Sequence, residues 1–196
     1  MGRKMMSIAL FGHMGSGKTT IADVLSRKGY QRISFAGPIK SIAELAYGKV
    51  AKGAMYATFD QATGVLLKKS GREILQGIGE TIKAVDRDFW MRCFDRQVLA
   101  YGDTPLVVDD GRFMLEFDAL RRLGWLTVGV NAAEAVRFQR YESIYGRRPT
   151  PQEVNHESER EVPDILSKCH VVVQGDRDAY DNVRSILSWR TSPTTT

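Results

Sequence analysis

Residues 12 to 19, Gly-His-Met-Gly-Ser-Gly-Lys-Thr, combine glycines, a lysine and a hydroxyl in an order suited to binding phosphate. Gly12, Gly17, Lys18 and Thr19 satisfy the pattern G-x-x-x-x-G-K-[ST]. The glycines let the backbone curl so that successive N–H groups point inward, and a helix starting near Lys18 would add the positive end of its dipole. Gly12, His13, Met14, Gly15, Ser16, Gly17, Lys18, Thr19 and Thr20 are therefore expected to cradle the phosphates of ATP. Lys18 would reach the β- and γ-phosphates and the Thr19 hydroxyl would ligate Mg²⁺. The His13 side chain is read as incidental to the chemistry.

A second group of charges follows the apolar run Leu106, Val107, Val108, which ends in Asp109 and Asp110. Open α/β sheets hold their ligands at the carboxyl ends of their strands. Because side chains alternate along a strand, one of the two carboxylates faces the cleft, and Asp110 is favoured as the metal carboxylate. Arg112, two residues on, is placed to grip a phosphate bidentately. Arg137 and Arg140 stand three apart and would share a helix face, where they could close over a transferring phosphate as a lid. Arg147 and Arg148 read more simply as a solvated basic helix end. No Asn-Lys-x-Asp pattern of guanine recognition occurs late in the chain, which argues against a GTPase.

The elements that must position these residues alternate along the chain. β-rich runs occur at 7 to 11, 31 to 36, 106 to 110, 126 to 130 and 170 to 174, with amphipathic helical patterns between them, such as Ile21, Val24 and Leu25. Nearly all-apolar strands separated by helices predict a parallel sheet covered on both faces. Gly29 reads as a helix C-cap and Pro38 as part of a first helical turn. Residues 53 to 71 fit neither period and are expected to form a loop or a short irregular insertion, and 191 to 196, Thr-Ser-Pro-Thr-Thr-Thr, a disordered tail.

Composition limits the alternatives. The 196 residues are 43% hydrophobic with a net charge of +5, which suits one globular domain and an anionic ligand, and points away from nucleic acid and from a membrane span. Cys93 and Cys169 lack metal-type spacing and read as buried thiols of a reducing, cytoplasmic compartment.

Beyond these residues, the phosphate loop together with "SFAGPIK" (34 to 40), "GREILQGIGETIKAVDRDFW" (71 to 90), "VVDDGRFMLEFDALRRLGW" (107 to 125) and "NHESE" (155 to 159) resembles the deoxynucleoside monophosphate kinases of bacteriophages, within the broader P-loop nucleoside monophosphate kinase group. The similarity runs through most of residues 7 to 175. It implies an α/β, three-layer P-loop fold with a five-stranded parallel sheet, spanning 1 to 190 as one kinase domain. Within it, the resemblance implies a helical acceptor-binding region at about 36 to 100 and a small lid at about 134 to 162. It implies transfer of the ATP γ-phosphoryl group to a deoxynucleoside 5′-monophosphate with Mg²⁺, in host cytoplasm if the chain is phage-encoded. By the same resemblance Phe35 would lie beside the acceptor base, Lys40 and Arg72 near its phosphate, Gln76 on the same pocket and Trp90 at its flank. Asp110 and Arg112 match the Asp-x-Arg that ends the central strand, and Arg137 and Arg140 the lid arginines. The paired Asp109 and the brevity of 53 to 71 depart from the family's pattern. Two readings stay open beside it: a P-loop kinase for another acceptor, such as a dephospho-coenzyme or a hydroxymethylated base in DNA, and a nucleotide-binding regulatory protein. Base choice, exclusion of ribose and formation of a homodimer are left undecided by the sequence.

Overall fold

Four consecutive apolar residues, Ile8 to Phe11, form a strand in which every side chain is buried, as expected of a strand enclosed on both faces. In the computed structural model, which describes residues 5 to 189, this strand is β1 (Ile8–Phe11). It is followed in chain order by α1 (Lys18–Arg27), β2 (Gln31–Ile33), α2 (Gly37–Tyr47), β3 (Met55–Phe59), β4 (Leu66–Ser70), α3 (Gly71–Val85), α4 (Phe89–Ala100), β5 (Leu106–Val108), α5 (Met114–Arg122), β6 (Leu126–Asn131), α6 (Glu134–Tyr145), α7 (Pro151–Val154), α8 (Glu157–Arg160), α9 (Val162–Lys168), β7 (Val171–Gln174) and α10 (Ala179–Trp189). The tail expected at 191 to 196 lies outside the described residues.

The chain divides into two units, one running to Ser34 and resuming at Ala100, the other comprising Phe35–Leu99. The first holds a five-stranded sheet in the order β2-β5-β1-β6-β7, parallel throughout. Chain order departs from spatial order on both sides of β1, so the carboxyl ends of β1, β5 and β6 meet where such sheets hold ligands. Alternation along β1 serves two cores. Ile8 and Leu10 pack with Ile21, Leu25, Val183 and Ile186 of α1 and α10, while Phe11 turns the other way onto Phe117 of α5, ring centroids 5.3 Å apart. Each fully buried Leu or Ile contributes roughly 1.5–3 kcal/mol, which is what holds the loop after β1 to a rigid base. Helix α1 ends as its sequence suggests, with Gly29 at φ +92° just past it.

The second unit corrects one expectation. Residues 53 to 71 are no irregular loop: Met55–Phe59 and Leu66–Ser70 form an antiparallel hairpin, with Met55 opposite Ser70 and Phe59 opposite Leu66. The turn is built locally. The Asp60 side chain accepts from the Ala62 and Thr63 amides, and Gly64 takes φ +68° while donating to the Asp60 carbonyl. The hairpin escapes a hydrophobicity reading because both strands are largely solvent-facing, with Met55 and Phe59 each 63% exposed. Ser70 then N-caps α3 in a capping box with Glu73. Ala43, Val50, Ile74 and Leu75 form the small core beneath. No described helix is long and apolar enough to cross a membrane.

Candidate active site

The loop between β1 and α1 is shaped by its glycines. A Cβ on Gly12 would stand 2.3 Å from the Val130 carbonyl oxygen, and Gly15, at φ +73°, would bring one within 2.6 Å of the Arg137 carbonyl oxygen. The chain can pass there only without side chains. Helix α1 begins after Gly17 with no side-chain cap and no acidic residue in its first turn. Its leading N–H groups are thus left to an anion.

Lys18 is 7% exposed and folds back onto the loop, its Nζ donating to the Gly12 carbonyl at 2.6 Å and the His13 carbonyl at 2.8 Å. Burial, reinforced by the nearby Arg112 charge, brings its pKa down to about 7, against the partly compensating charges of Glu159, Asp109 and Asp110. An arriving phosphate supplies the negative charge this ammonium lacks.

The carboxylate that meets Thr19 is Asp109, where alternation favoured Asp110. Thr19 Oγ1 donates to Asp109 Oδ2 at 2.9 Å, and Asp109 is 6% exposed. The reason is where the strand stops. β5 ends at Val108, so strict alternation does not extend to the pair that follows it. Asp110 accepts from the Ser34 hydroxyl at 2.6 Å. A threonine that gives its proton to a carboxylate keeps its oxygen lone pairs for a cation, so Thr19 beside Asp109 fits a hard ion such as Mg²⁺. Arg32 of β2, which nothing in the linear pattern singles out, holds Asp109 with two bonds, Nε to Oδ1 at 2.8 Å and Nη2 to Oδ2 at 2.5 Å.

The arginines expected at the site gather around the same loop. Arg112 is half-buried and donates to Glu159 Oε1 at 3.2 Å. Arg137, 9% exposed, donates from Nε to the Ala132 carbonyl, and Arg140 bridges the Gly15 and Gly175 carbonyls at 3.1 and 2.8 Å. Both lie on α6, one turn apart. Arg147 is instead committed to Glu153 through two bonds of 2.8 and 2.9 Å. Beside the loop, a cavity of about 440 Å³ is lined by Gly17, Thr20, Arg140, Gly175, Arg177 and Tyr180, among others.

One residue of the site exceeds its sequence-based expectation. Glu159 enters the sequence reading only through the "NHESE" segment of the resemblance, with no catalytic role. It is 4% exposed, and it accepts from His13 Nδ1 at 2.9 Å, from the Met14 amide at 3.1 Å through both oxygens, and from Arg112. Burial pushes its carboxyl up, but the His13 hydrogen bond, the Arg112 charge and the Met14 amide outweigh that and hold it below the ordinary carboxylate range. Glu116, capping the backbone of Arg112 and Phe113, goes the other way: burial raises it to about 7.

The remaining sequence-predicted residues belong to the second unit and are placed within it. Phe35 is buried and stacks on Phe94 at 4.1 Å between centroids. Arg72 and Gln76 lie one turn apart on α3, half-buried and exposed respectively, and Lys40 is exposed on α2. Trp90 is half-buried, its indole N–H donating to the Gly79 carbonyl at 3.1 Å.

This geometry can be set against known proteins. No family model matches the chain, and no curated protein does. Solved structures do. A shikimate kinase from Aquifex aeolicus superposes with a TM-score of 0.56 at 21% identity, covering 95% of this chain and 96% of that one. This chain shares the α/β fold of that kinase. A gluconokinase from Sinorhizobium meliloti 1021 matches with TM-score 0.54 and 17% identity over 97% and 94% of the two chains. A dephospho-CoA kinase from Campylobacter jejuni matches with TM-score 0.50 and 14% identity over 94% and 95%.

Proposed function

We propose that the protein is an ATP-dependent phosphotransferase whose acceptor is a deoxynucleoside 5′-monophosphate, converted to the diphosphate. The observation that carries this reading is the convergence of Lys18, Arg112, Arg137 and Arg140 on one phosphate loop, beside a Thr19–Asp109 pair. Two phosphate-bearing reactants held together call for that many cations. The uncapped start of α1 and Lys18 take the β- and γ-phosphates, and the cavity continuous with Gly17 and Thr20 takes the nucleoside of ATP. Thr19, with Asp109 behind it, would hold Mg²⁺, which when bound offsets phosphate charge. Arg112 and the α6 arginines neutralise the transferring group, with α6 and the segment after it serving as the lid. Because the acceptor is itself a phosphate anion, the chain's residues align and neutralise and need not remove a proton. The nucleotide identity of the acceptor rests on the resemblance to the bacteriophage enzymes, with Arg72, Lys40, Gln76, Trp90 and Phe35 as the acceptor residues.

A hydroxyl acceptor is the second reading, and one observation favours it. His13, held through Nδ1 by Glu159, is an imidazole fixed beside the loop that could accept the proton a hydroxyl must lose. The matched structures carry the names of shikimate kinase, gluconokinase and dephospho-CoA kinase. ADP release from MgATP is the deciding measurement, with each deoxynucleoside monophosphate, hydroxymethyl-dUMP, the ribonucleotides and dephospho-coenzyme A in turn, and Lys18→Ala as blank. Stimulation by free deoxynucleotides supports the first reading. Stimulation by a hydroxyl acceptor alone replaces it with the second.

A further inference from the structure

A carboxylate withdrawn from water costs several kcal/mol unless its partners compensate. Glu159 is withdrawn almost completely, and its partners come from two separate strand ends: His13 and Met14 from the loop after β1, Arg112 from the segment after β5. The backbone on each side of this junction is fixed independently. Glu116 accepts from the Arg112 and Phe113 amides at 2.6 and 3.0 Å, and Glu161 accepts from the Met114 amide at 2.5 Å. The Glu159 end is seated as well, with Ser158 buried and the Glu159 amide donating to the His156 carbonyl at 2.8 Å. What stays adjustable is the Arg112 side chain, half-buried and long, and Glu159 is the group that aims it. One guanidinium nitrogen meets the carboxylate at 3.2 Å, and a guanidinium has five N–H donors in a rigid fork, so the grip leaves others for phosphate.

We propose that Glu159 is a positioning residue for phosphoryl transfer, holding Arg112 in register with the phosphate loop so that both close on the same phosphoryl group. The inference rests on the phosphotransferase reading but not on the identity of the acceptor. A carboxylate bonded to the loop amide on one side and the arginine on the other sets the spacing between two phosphate ligands that the chain brings from different strands. Misplacing such a ligand by about 1 Å costs on the order of 10²-fold in rate. Binding of ADP, seated by the loop, Lys18 and the start of α1, depends on Arg112 much less.

The test is a double-mutant cycle of Glu159→Gln and Arg112→Ala, with Glu159→Asp as the conservative variant. It is read on acceptor-dependent ADP release, or on acceptor-free ATP hydrolysis if no acceptor stimulates the wild type. A wrong acceptor then shows in the wild type, and a wrong role for Glu159 shows in the cycle. The expected result is a kcat lowered about 10- to 100-fold by E159Q with the Kd for ADP within about threefold, partial recovery in E159D, and an E159Q effect below about threefold once Arg112 is alanine. Wild-type kcat in E159Q, equal E159Q factors with and without Arg112, or losses of kcat and ADP affinity in step would each overturn the proposal. If thermal melting shows E159Q unfolded, E159D takes its place in the same cycle under the same criteria.

Discussion

The two units of the chain hold their functional candidates in opposite ways. In the sheet unit the functional groups are tied to partners, most of them distant in sequence: Thr19 to Asp109, Asp109 to Arg32 and Arg112 to Glu159, with Lys18 buried against the carbonyls of its own loop. In the Phe35–Leu99 unit Lys40 and Gln76 face solvent and Arg72 is half-buried, on helices organised by local devices such as the Ser70–Glu73 capping box. Phosphoryl transfer needs preorganised charge in a water-poor place, which calls for long-range cross-bracing. In the proposed reaction, selecting an acceptor needs surface that can differ from one enzyme to the next, and a hairpin with three helices can carry that with little core.

The contrast can be broken by experiment, the largest effect first. Lys18→Ala is expected to lower kcat on the order of 10³-fold, measured as ADP release; near-wild-type turnover would remove the loop from the chemistry. Asp109→Asn should cost about 10²-fold and raise the Mg²⁺ requirement, with Asp110→Asn nearer tenfold, in Mg²⁺ titrations of the rate. The reverse order would return the metal role to Asp110.

Buried charge should also show in stability. With a folded pKa of about 7 against the ordinary lysine value of 10.5, Lys18 binds its proton less readily in the folded chain than in the unfolded one. The unfolded state therefore holds more protons between those values, and this group makes stability rise with pH across that window. Lys18→Met should raise neutral-pH stability, on the order of 2 kcal/mol, and flatten that rise in denaturant titrations at pH 7 and pH 9. Smallest is the effect expected in the second unit. Arg72→Ala should raise the acceptor KM about tenfold and leave the ATP KM unchanged, since one charged hydrogen bond is worth roughly 1.5–3 kcal/mol; equal changes in both constants would end the division of labour.

Legibility followed the range of the interactions. The three central strands β1, β5 and β6 could be placed because burial on both faces makes them near-continuous apolar runs, while the edge strands β2 and β7 are only partly buried; the loop was legible because its glycines, lysine and threonine fall within eight residues. The β3–β4 hairpin was not legible, since its strands are half-solvated and short and its turn depends on Asp60 and Gly64. Alternation favoured Asp110, whereas the residue that meets Thr19 is Asp109, because the strand ends one residue earlier, at Val108. Arg32 carried no local signal and Glu159 none beyond its place in the "NHESE" segment, because Asp109 lies 77 residues from Arg32, and His13, Met14 and Arg112 lie 146, 145 and 47 residues from Glu159.

By itself the sequence determined an alternating α/β chain, a phosphate loop with its lysine and hydroxyl, and a supply of arginines beyond the needs of one nucleotide. These follow from local periodicity and from the conformational freedom of glycine, which act within a few residues. The tertiary structure alone decided which aspartate meets Thr19, that Arg32 clamps it, and that Glu159 joins the phosphate loop to Arg112. Those are pairings between residues far apart in sequence, and the free energy that selects them appears only when folding withdraws the carboxylates of Asp109 and Glu159 from water and leaves each one needing a partner.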